Sequence, residues 1–150
     1  MSDLPKASVI LMAEDDADDR LLVKDALSEC QFEADLRFVE NGEELMDYLS
    51  ERGKYSGSGR GGRPGLIILD LNMPRKDGRE ALRDIKSNPE LRSIPVVVLT
   101  TSKADTDIEG IYQLGANSFI SKPVRFDELV NLMRLLAQYW LKTVELPLLR

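Results

Sequence analysis

The chain has 150 residues, is 43% hydrophobic and carries a formal net charge of −6, which is the size and composition of one globular domain with a proper core. It has one cysteine, Cys30, and no histidine, which excludes an internal disulfide and catalysis of the Ser-His-Asp or Cys-His type. Residues 1–50 hold 14 of the 26 acidic residues but only 4 of the 20 basic ones, which argues against nucleic acid as a partner. No apolar run has the length of a signal peptide or a membrane span, so we expect a cytoplasmic protein without a membrane partner.

Short apolar segments alternate along the chain with segments of helical periodicity. Predicted strands cover residues 9–12, 36–39, 66–69, 94–99 and 118–121. Predicted helices cover about 17–30, 43–52, 78–87, 102–115 and 126–144. This alternation predicts an α/β fold in which helices cover both faces of a five-stranded parallel sheet. We expect residues 1–150 to form a single domain with a C-terminal extension from about residue 143.

Polar side chains follow four of the predicted strands. Glu14 and Asp15 follow the first strand, Asp70 the third, Thr100 the fourth and Lys122 the fifth. In such sheets ligands bind outside the carboxyl ends of the strands. Converging carboxylates repel one another unless a hard cation lies among them, and Mg²⁺ suits carboxylate and phosphate oxygens. A carboxylate is also a competent nucleophile towards phosphorus, while a hydroxyl and an ammonium can hold phosphoryl oxygens.

Four stretches resemble the receiver domains of two-component response regulators. They are Ala-Glu-Asp-Asp at 13–16, Leu-Asp-Leu-Asn-Met-Pro-Arg-Lys-Asp-Gly at 69–78, Leu-Thr-Thr-Ser at 99–102 and Ser-Lys-Pro at 121–123. The resemblance implies the doubly wound, flavodoxin-like (βα)5 fold with strand order 2-1-3-4-5. It implies that Asp70 accepts a phosphoryl group from the phosphohistidine of a sensor histidine kinase in a Mg²⁺-dependent reaction. The protein would then not be an enzyme, apart from catalysing its own phosphotransfer and dephosphorylation.

The same resemblance implies a role for each site residue. The metal ligands would be Glu14 (through water), Asp15, Asp70 and the main-chain carbonyl of Asn72. Thr100 and Lys122 would hold the phosphoryl group, and Thr100 with Phe119 would form the activation switch. The Lys122–Pro123 peptide bond would be cis.

A closer similarity lies outside these motifs. The long loop before the third strand, residues 94–102 and residues 139–147 look like the small stand-alone regulators that partner bacterial phytochromes. This implies a kinase of the phytochrome type. No DNA-binding or enzymatic domain follows the last helix, so we expect output through protein contacts.

The last predicted helix is apolar on two sides. One stripe has the spacing of a core face, and a second is rotated well away from it. We interpret the second stripe and the tail as a homodimer interface, with a frayed apolar terminus as the alternative. The residues assigned to this interface are Leu132, Leu135, Tyr139, Leu146 and Leu148.

Two other functions are alternatives to a phosphoacceptor. A Mg²⁺-dependent phosphohydrolase with an aspartate nucleophile would need a carboxylate at position 72, where Asn72 stands. A phosphorylation-independent dimeric adaptor would not need the full set of polar residues at the strand ends.

Asp18 and Asp19 are interpreted as acids of the first helical turn that favour the helix dipole.

Overall fold

The computed structural model describes residues 9–31, 34–57, 61–101 and 105–147, which form a parallel sheet with helices on both faces. The strands are β1 (Val9–Ala13), β2 (Asp35–Val39), β3 (Leu66–Leu69), β4 (Val96–Thr100) and β5 (Ser118–Ser121). The helices are α1 (Ala17–Glu29), α2 (Gly42–Ser50), α3 (Gly78–Ser87), α4 (Asp105–Gln113) and α5 (Phe126–Gln138). The strand order is β2-β1-β3-β4-β5 with every pair parallel. The predicted fold class and strand order are confirmed.

The sheet separates two apolar layers. Residues of α2, α3 and α4 pack on one face, and residues of α1 and α5 pack on the other. Every residue of β3 and β4 is buried, as expected for central strands covered on both sides. Within the described ranges, no helix has both the length and the apolar character needed to cross a membrane.

Side-chain caps begin α1 and α3, two of the helices that lead away from the strand ends. The Asp16 carboxylate accepts hydrogen bonds from the main-chain N–H groups of Asp18 and Asp19 at the start of α1. Asp77 and Glu80 form a capping box at the start of α3. Because such caps satisfy N–H groups that have no helical partner, they fix where each helix starts relative to the sheet.

Three details differ from expectation. The α2 helix ends at Ser50, before the predicted end, because Glu51 adopts a left-handed backbone with φ of 55°. The last helix is α-helical only to Gln138 and continues as a wider π turn over Tyr139–Thr143. No peptide bond of the described residues is cis, so the expected cis bond at Lys122–Pro123 is wrong. An X–Pro bond favours trans by about 0.5–1 kcal/mol unless its surroundings reverse that preference.

Gly78 closes the loop that follows Asp70, and this generates a stability prediction. A Cβ atom at Gly78 would lie 2.4 Å from the carbonyl oxygen of Asp70 and 2.6 Å from the Cα of Leu71. Gly78→Ala should therefore lower the free energy of unfolding by about 1–3 kcal/mol, measured by urea denaturation. Gly110→Ala is the matched control, because its Cβ would meet open space and a helical alanine should add about 0.5–1 kcal/mol. Equal effects of the two substitutions would contradict the close approach at Gly78.

Candidate active site

Main-chain hydrogen bonds carry the sheet one residue beyond its strand ends. The N–H of Glu14 donates to Val39 O (3.0 Å), that of Asp70 to Ala13 O (3.1 Å) and that of Lys122 to Thr100 O (3.0 Å). These bonds place Glu14, Asp70, Thr100 and Lys122 side by side at one edge of the sheet. Four of the five polar residues that the sequence places at strand ends thus lie together in the structure.

Asp70 is the centre of this group and is only 5% exposed. Its Oδ1 accepts a hydrogen bond from the Thr100 hydroxyl at 3.1 Å and from the main-chain N–H of Asn72 at 3.2 Å. Its Oδ2 lies 3.7 Å from Lys122 Nζ, close enough for charge attraction but too long for a hydrogen bond. One carboxylate oxygen is therefore fixed by neutral donors, and the other faces the ammonium.

Glu14 is the most buried carboxylate of the site, at 1% exposed. Its Oε1 accepts a hydrogen bond from Lys122 Nζ at 2.5 Å. Burial raises the pKa of Glu14 to about 7; the Lys122 hydrogen bond opposes this, and the negative charge of Asp70 adds to it. Burial alone would lower the pKa of Lys122, but its bonds to Glu14 and Asp19 hold that pKa above its ordinary value. The two side chains thus form a hydrogen-bonded pair in a poorly hydrated setting.

Asp19 also belongs to the site, although the sequence predicted only a helix-dipole role for it. Its Oδ2 accepts a hydrogen bond from Lys122 Nζ at 2.9 Å. As an acid in the first turn of α1, Asp19 has the features of an ordinary helix-dipole residue. The available signal was geometric: α1 begins directly after β1, so its first turn must lie beside the strand ends.

The acidic residues form a cluster that could hold a cation. One carboxylate oxygen from each of Glu14, Asp15 and Asp70 lies within 4.8 Å of the others. Asp15 is exposed while the other two are buried, so the cluster opens to solvent on the Asp15 side. Three oxygen ligands of this kind, with room for water, match what hard divalent cations prefer.

The remaining predicted site residues lie around this centre. Asn72 is exposed, and its Nδ2 donates to the Thr100 hydroxyl oxygen at 3.4 Å. Phe119 is half-buried against the α3 and α4 layer, opposite Val98 in the β4–β5 pair. The main-chain N–H of Phe119 donates to the Tyr112 hydroxyl at 3.1 Å, a contact with α4 that sequence reasoning did not anticipate.

Comparison with known proteins identifies the family. The model of the response regulator receiver domain matches residues 10–134. This chain belongs to that family. The sequence is 41% identical over 139 residues to response regulator Rcp1 from Synechocystis sp., covering 93% of this chain and 92% of Rcp1.

Solved structures of related regulators have the same fold. The Mn²⁺-bound form of Rcp1 superposes with a TM-score of 0.85 at 40% identity, covering 94% of this chain and 99% of the other. The phosphorylated cyanobacterial phytochrome response regulator RcpA gives 0.87 at 39% identity, covering 95% and 99%. RPA3017, from red light signalling of R. palustris, gives 0.88 at 34% identity with the same coverage. The protein is thus a receiver-domain response regulator related to the phytochrome regulators, and its acidic cluster fits a divalent cation.

The crowding of like charges generates a prediction on stability. Asp70→Asn removes one of three clustered carboxylates, so without a divalent cation it should raise the free energy of unfolding by on the order of 1 kcal/mol. Mg²⁺ should stabilise the wild-type protein by mass action and stabilise Asp70→Asn less. Urea denaturation with Mg²⁺ and with a chelator measures both effects.

Asp25→Asn is the control for this measurement. It makes the same change of net charge on an exposed position of α1. It should respond to Mg²⁺ as the wild type does. A similar response of all three proteins to Mg²⁺ would show that Asp70 is not part of a cation site.

Proposed function

We propose that the protein receives a phosphoryl group on Asp70 from a sensor histidine kinase of the phytochrome type and signals through protein contacts. The observation that carries this proposal is the setting of the Asp70 carboxylate between the Thr100 hydroxyl and the Lys122 ammonium. A nucleophilic carboxylate, a hydrogen-bond donor and a fixed positive charge are what transfer of phosphorus to an oxygen requires. A cytoplasmic location remains a prediction from the sequence.

The transfer step follows from the positions of these groups. One carboxylate oxygen of Asp70 forms a bond to phosphorus while the bond from phosphorus to the donor breaks, and the donor leaves with that electron pair. Thr100 can donate a hydrogen bond to a phosphoryl oxygen, and Lys122 can neutralise the charge that develops there. Burial of Asp70 among β-strands fixes the nucleophile in place before the donor arrives.

We propose Mg²⁺ as the cation, held by Glu14 through water and by Asp15, Asp70 and the main-chain carbonyl of Asn72. The support is the carboxylate cluster, in which three acidic oxygens lie close together with one open side. A bound Mg²⁺ supplies positive charge that offsets the like charges of the carboxylates and of the phosphoryl oxygens.

The rival functions fit the site less well. A phosphohydrolase with Asp70 as nucleophile would use an acid/base group two residues further on. The residue at that position is Asn72, whose side-chain amide donates a hydrogen bond to the Thr100 hydroxyl oxygen. A phosphorylation-independent adaptor would have no use for a buried Asp70, Thr100 and Lys122 in mutual contact. Both observations favour a phosphoacceptor.

We also propose Thr100 and Phe119 as the switch that reports phosphorylation. Thr100 is fully buried and bonded to Asp70, so a group added to Asp70 would change the partner of its hydroxyl. Phe119 lies on the neighbouring strand and is half-buried, so its exposure could rise or fall. Tyr112 ties the main chain of Phe119 to α4, so a shift of this strand would reach the helix surface.

The phosphoacceptor assignment generates a direct prediction. Incubation with acetyl phosphate and Mg²⁺ should add one phosphoryl group, detected as a single mass increment of the intact protein. Asp70→Asn should remain unlabelled because it lacks the nucleophilic oxygen, and Asp25→Asn should label as the wild type does. Labelling of Asp70→Asn at the wild-type rate would refute the assignment. Phosphotransfer from a panel of purified kinases, with phytochrome kinases included, tests the partner.

We propose that the protein forms a homodimer through the exposed side of α5 and the tail. Leu135 on α5 is 63% exposed, and Tyr139 in the turn that follows the helix is 48% exposed. Tyr139 also packs edge-on against Trp140, with ring centroids 5.2 Å apart, which keeps its ring on this surface. Leu132 is half-buried against the core, so it would contribute less than Leu135. Leu146 is half-buried, and Leu148 lies outside the described residues.

A second copy of this chain is the favoured occupant because a two-fold contact needs only one self-complementary patch. Each buried leucine or tyrosine side chain contributes roughly 1.5–3 kcal/mol, and every such residue counts twice in a symmetric pair. Several residues of this kind can offset the cost of association.

Leu135→Arg should therefore convert a dimer into a monomer at micromolar concentration, as measured by sedimentation. Phosphorylation at Asp70 should persist, because Leu135 lies nine residues into α5, away from the end of the helix that follows β5. Ser50→Arg is the control: it adds the same charge at an exposed position on α2, on the opposite face of the sheet. A wild-type protein that sediments as a monomer, with or without phosphorylation, would refute the dimer.

A further inference from the structure

We propose that Asp19 is a positioning residue for phosphotransfer, whose carboxylate holds the Lys122 ammonium in a resting position away from the phosphoryl site. We expect the ammonium to shift from this position when it binds a phosphoryl group on Asp70. The proposal rests on the proposed role of Asp70 as phosphoacceptor. Asp19 acts only through Lys122 and touches no reacting atom.

The distances around Lys122 define the resting position. Its Nζ donates to Glu14 Oε1 at 2.5 Å and to Asp19 Oδ2 at 2.9 Å, whereas Asp70 Oδ2 is 3.7 Å away. An ammonium has three N–H donors, and two of them are used by Glu14 and Asp19. The third N–H is left for a group carried by Asp70, and we expect Nζ to shift towards that group and weaken one of its two hydrogen bonds, because Asp70 Oδ2 lies beyond hydrogen-bond distance.

Exposure decides which of the two bonds is released at lower cost. The Glu14 side chain is 1% exposed, and a buried carboxylate that loses its cationic partner is strongly destabilised. The Asp19 side chain is 38% exposed, so water can replace the ammonium at little cost. The hydrogen bond to Asp19 is thus the one that breaks when Lys122 moves, and its strength contributes to the barrier for phosphorylation.

The chemical step with a small donor is balanced without any further reactant. An oxygen of Asp70 bonds to the phosphorus of acetyl phosphate, the bond from phosphorus to the acetate oxygen breaks, and acetate leaves with the electron pair. Lys122 moves towards the phosphoryl oxygens during this step and gives up its bond to Asp19. A weaker bond to Asp19 should make the transfer faster.

The chain offers a matched control in Asp18. Asp18 is the neighbouring acid in the first turn of α1, and its main-chain N–H, like that of Asp19, is bonded to the Asp16 cap. Within the described part of the chain, the ion pairs of Lys122 are with Glu14, Asp19 and Asp70. Asp18→Asn therefore removes the same charge from almost the same place without removing a contact to Lys122.

The experiment compares wild type, Asp19→Asn, Asp18→Asn and Asp19→Glu. Phosphorylation by acetyl phosphate at saturating Mg²⁺ is followed by intact mass over a range of donor concentrations. Asp19→Asn should raise the maximum rate by about three- to tenfold, the range of a partly exposed charged hydrogen bond. Asp18→Asn should stay within about twofold of wild type, because exposed charges without contact are largely screened. Asp19→Glu restores the carboxylate and should return the rate towards that of wild type.

A second readout is independent of the reaction. Beryllofluoride, a mimic of the phosphoryl group, should bind Asp19→Asn more tightly than wild type by a similar factor, measured by ¹⁹F NMR. An unchanged or slower rate and unchanged beryllofluoride binding in Asp19→Asn would overturn the proposal, as would an equal acceleration in Asp18→Asn. Labelling that persists in Asp70→Asn would refute the phosphoacceptor assignment and this proposal with it, whereas an unlabelled Asp70→Asn together with an unchanged Asp19→Asn would overturn this proposal alone.

Discussion

The site depends on one positive side chain shared among several negative ones. Lys122 contacts Glu14, Asp19 and Asp70, and Glu14 and Asp70 are almost fully buried. Buried carboxylates at this separation are tolerated only with compensating charge and hydrogen bonds. Thr100 and the main chain of Asn72 provide the hydrogen bonds for Asp70. The ammonium offsets only part of the negative charge, which leaves the cluster suited to a cation.

The parallel sheet is what makes this sharing possible. Each strand ends at the same edge, and hydrogen bonds beyond the strand ends hold Glu14, Asp70 and Lys122 in register with their neighbours. The apolar strands β3 and β4 are buried on both faces, so they cannot shift to relieve repulsion between the carboxylates. The stability of the two apolar layers therefore maintains an electrostatic arrangement that the charged groups alone would not adopt.

Sequence patterns predicted the fold well because they depend on local physics. Continuous apolar segments and helical periodicity placed all five strands and five helices, with errors confined mostly to their ends. Features set by tertiary contacts were missed: Asp19 has the properties of a dipole-favouring acid, and only the approach of Lys122 reveals its role. The trans bond at Lys122–Pro123 and the π turn at Tyr139–Thr143 depend on packing that no single segment encodes.

Charge balance also links the two groups proposed to bind at the site, the phosphoryl group and the cation. A phosphoryl group on Asp70 would replace the single negative charge of the carboxylate with a net charge of about −1.5 to −2, the value for protein phosphates at neutral pH. The single charge of Lys122 is already shared with Glu14 and Asp19, so it can offset only part of this added charge. If Asp70 is the phosphoacceptor, as proposed, the cluster of Glu14, Asp15 and Asp70 would attract a cation more strongly after phosphorylation than before. Because binding linkage is reciprocal, the same arrangement makes phosphorylation of Asp70 more favourable when the cluster is neutralised.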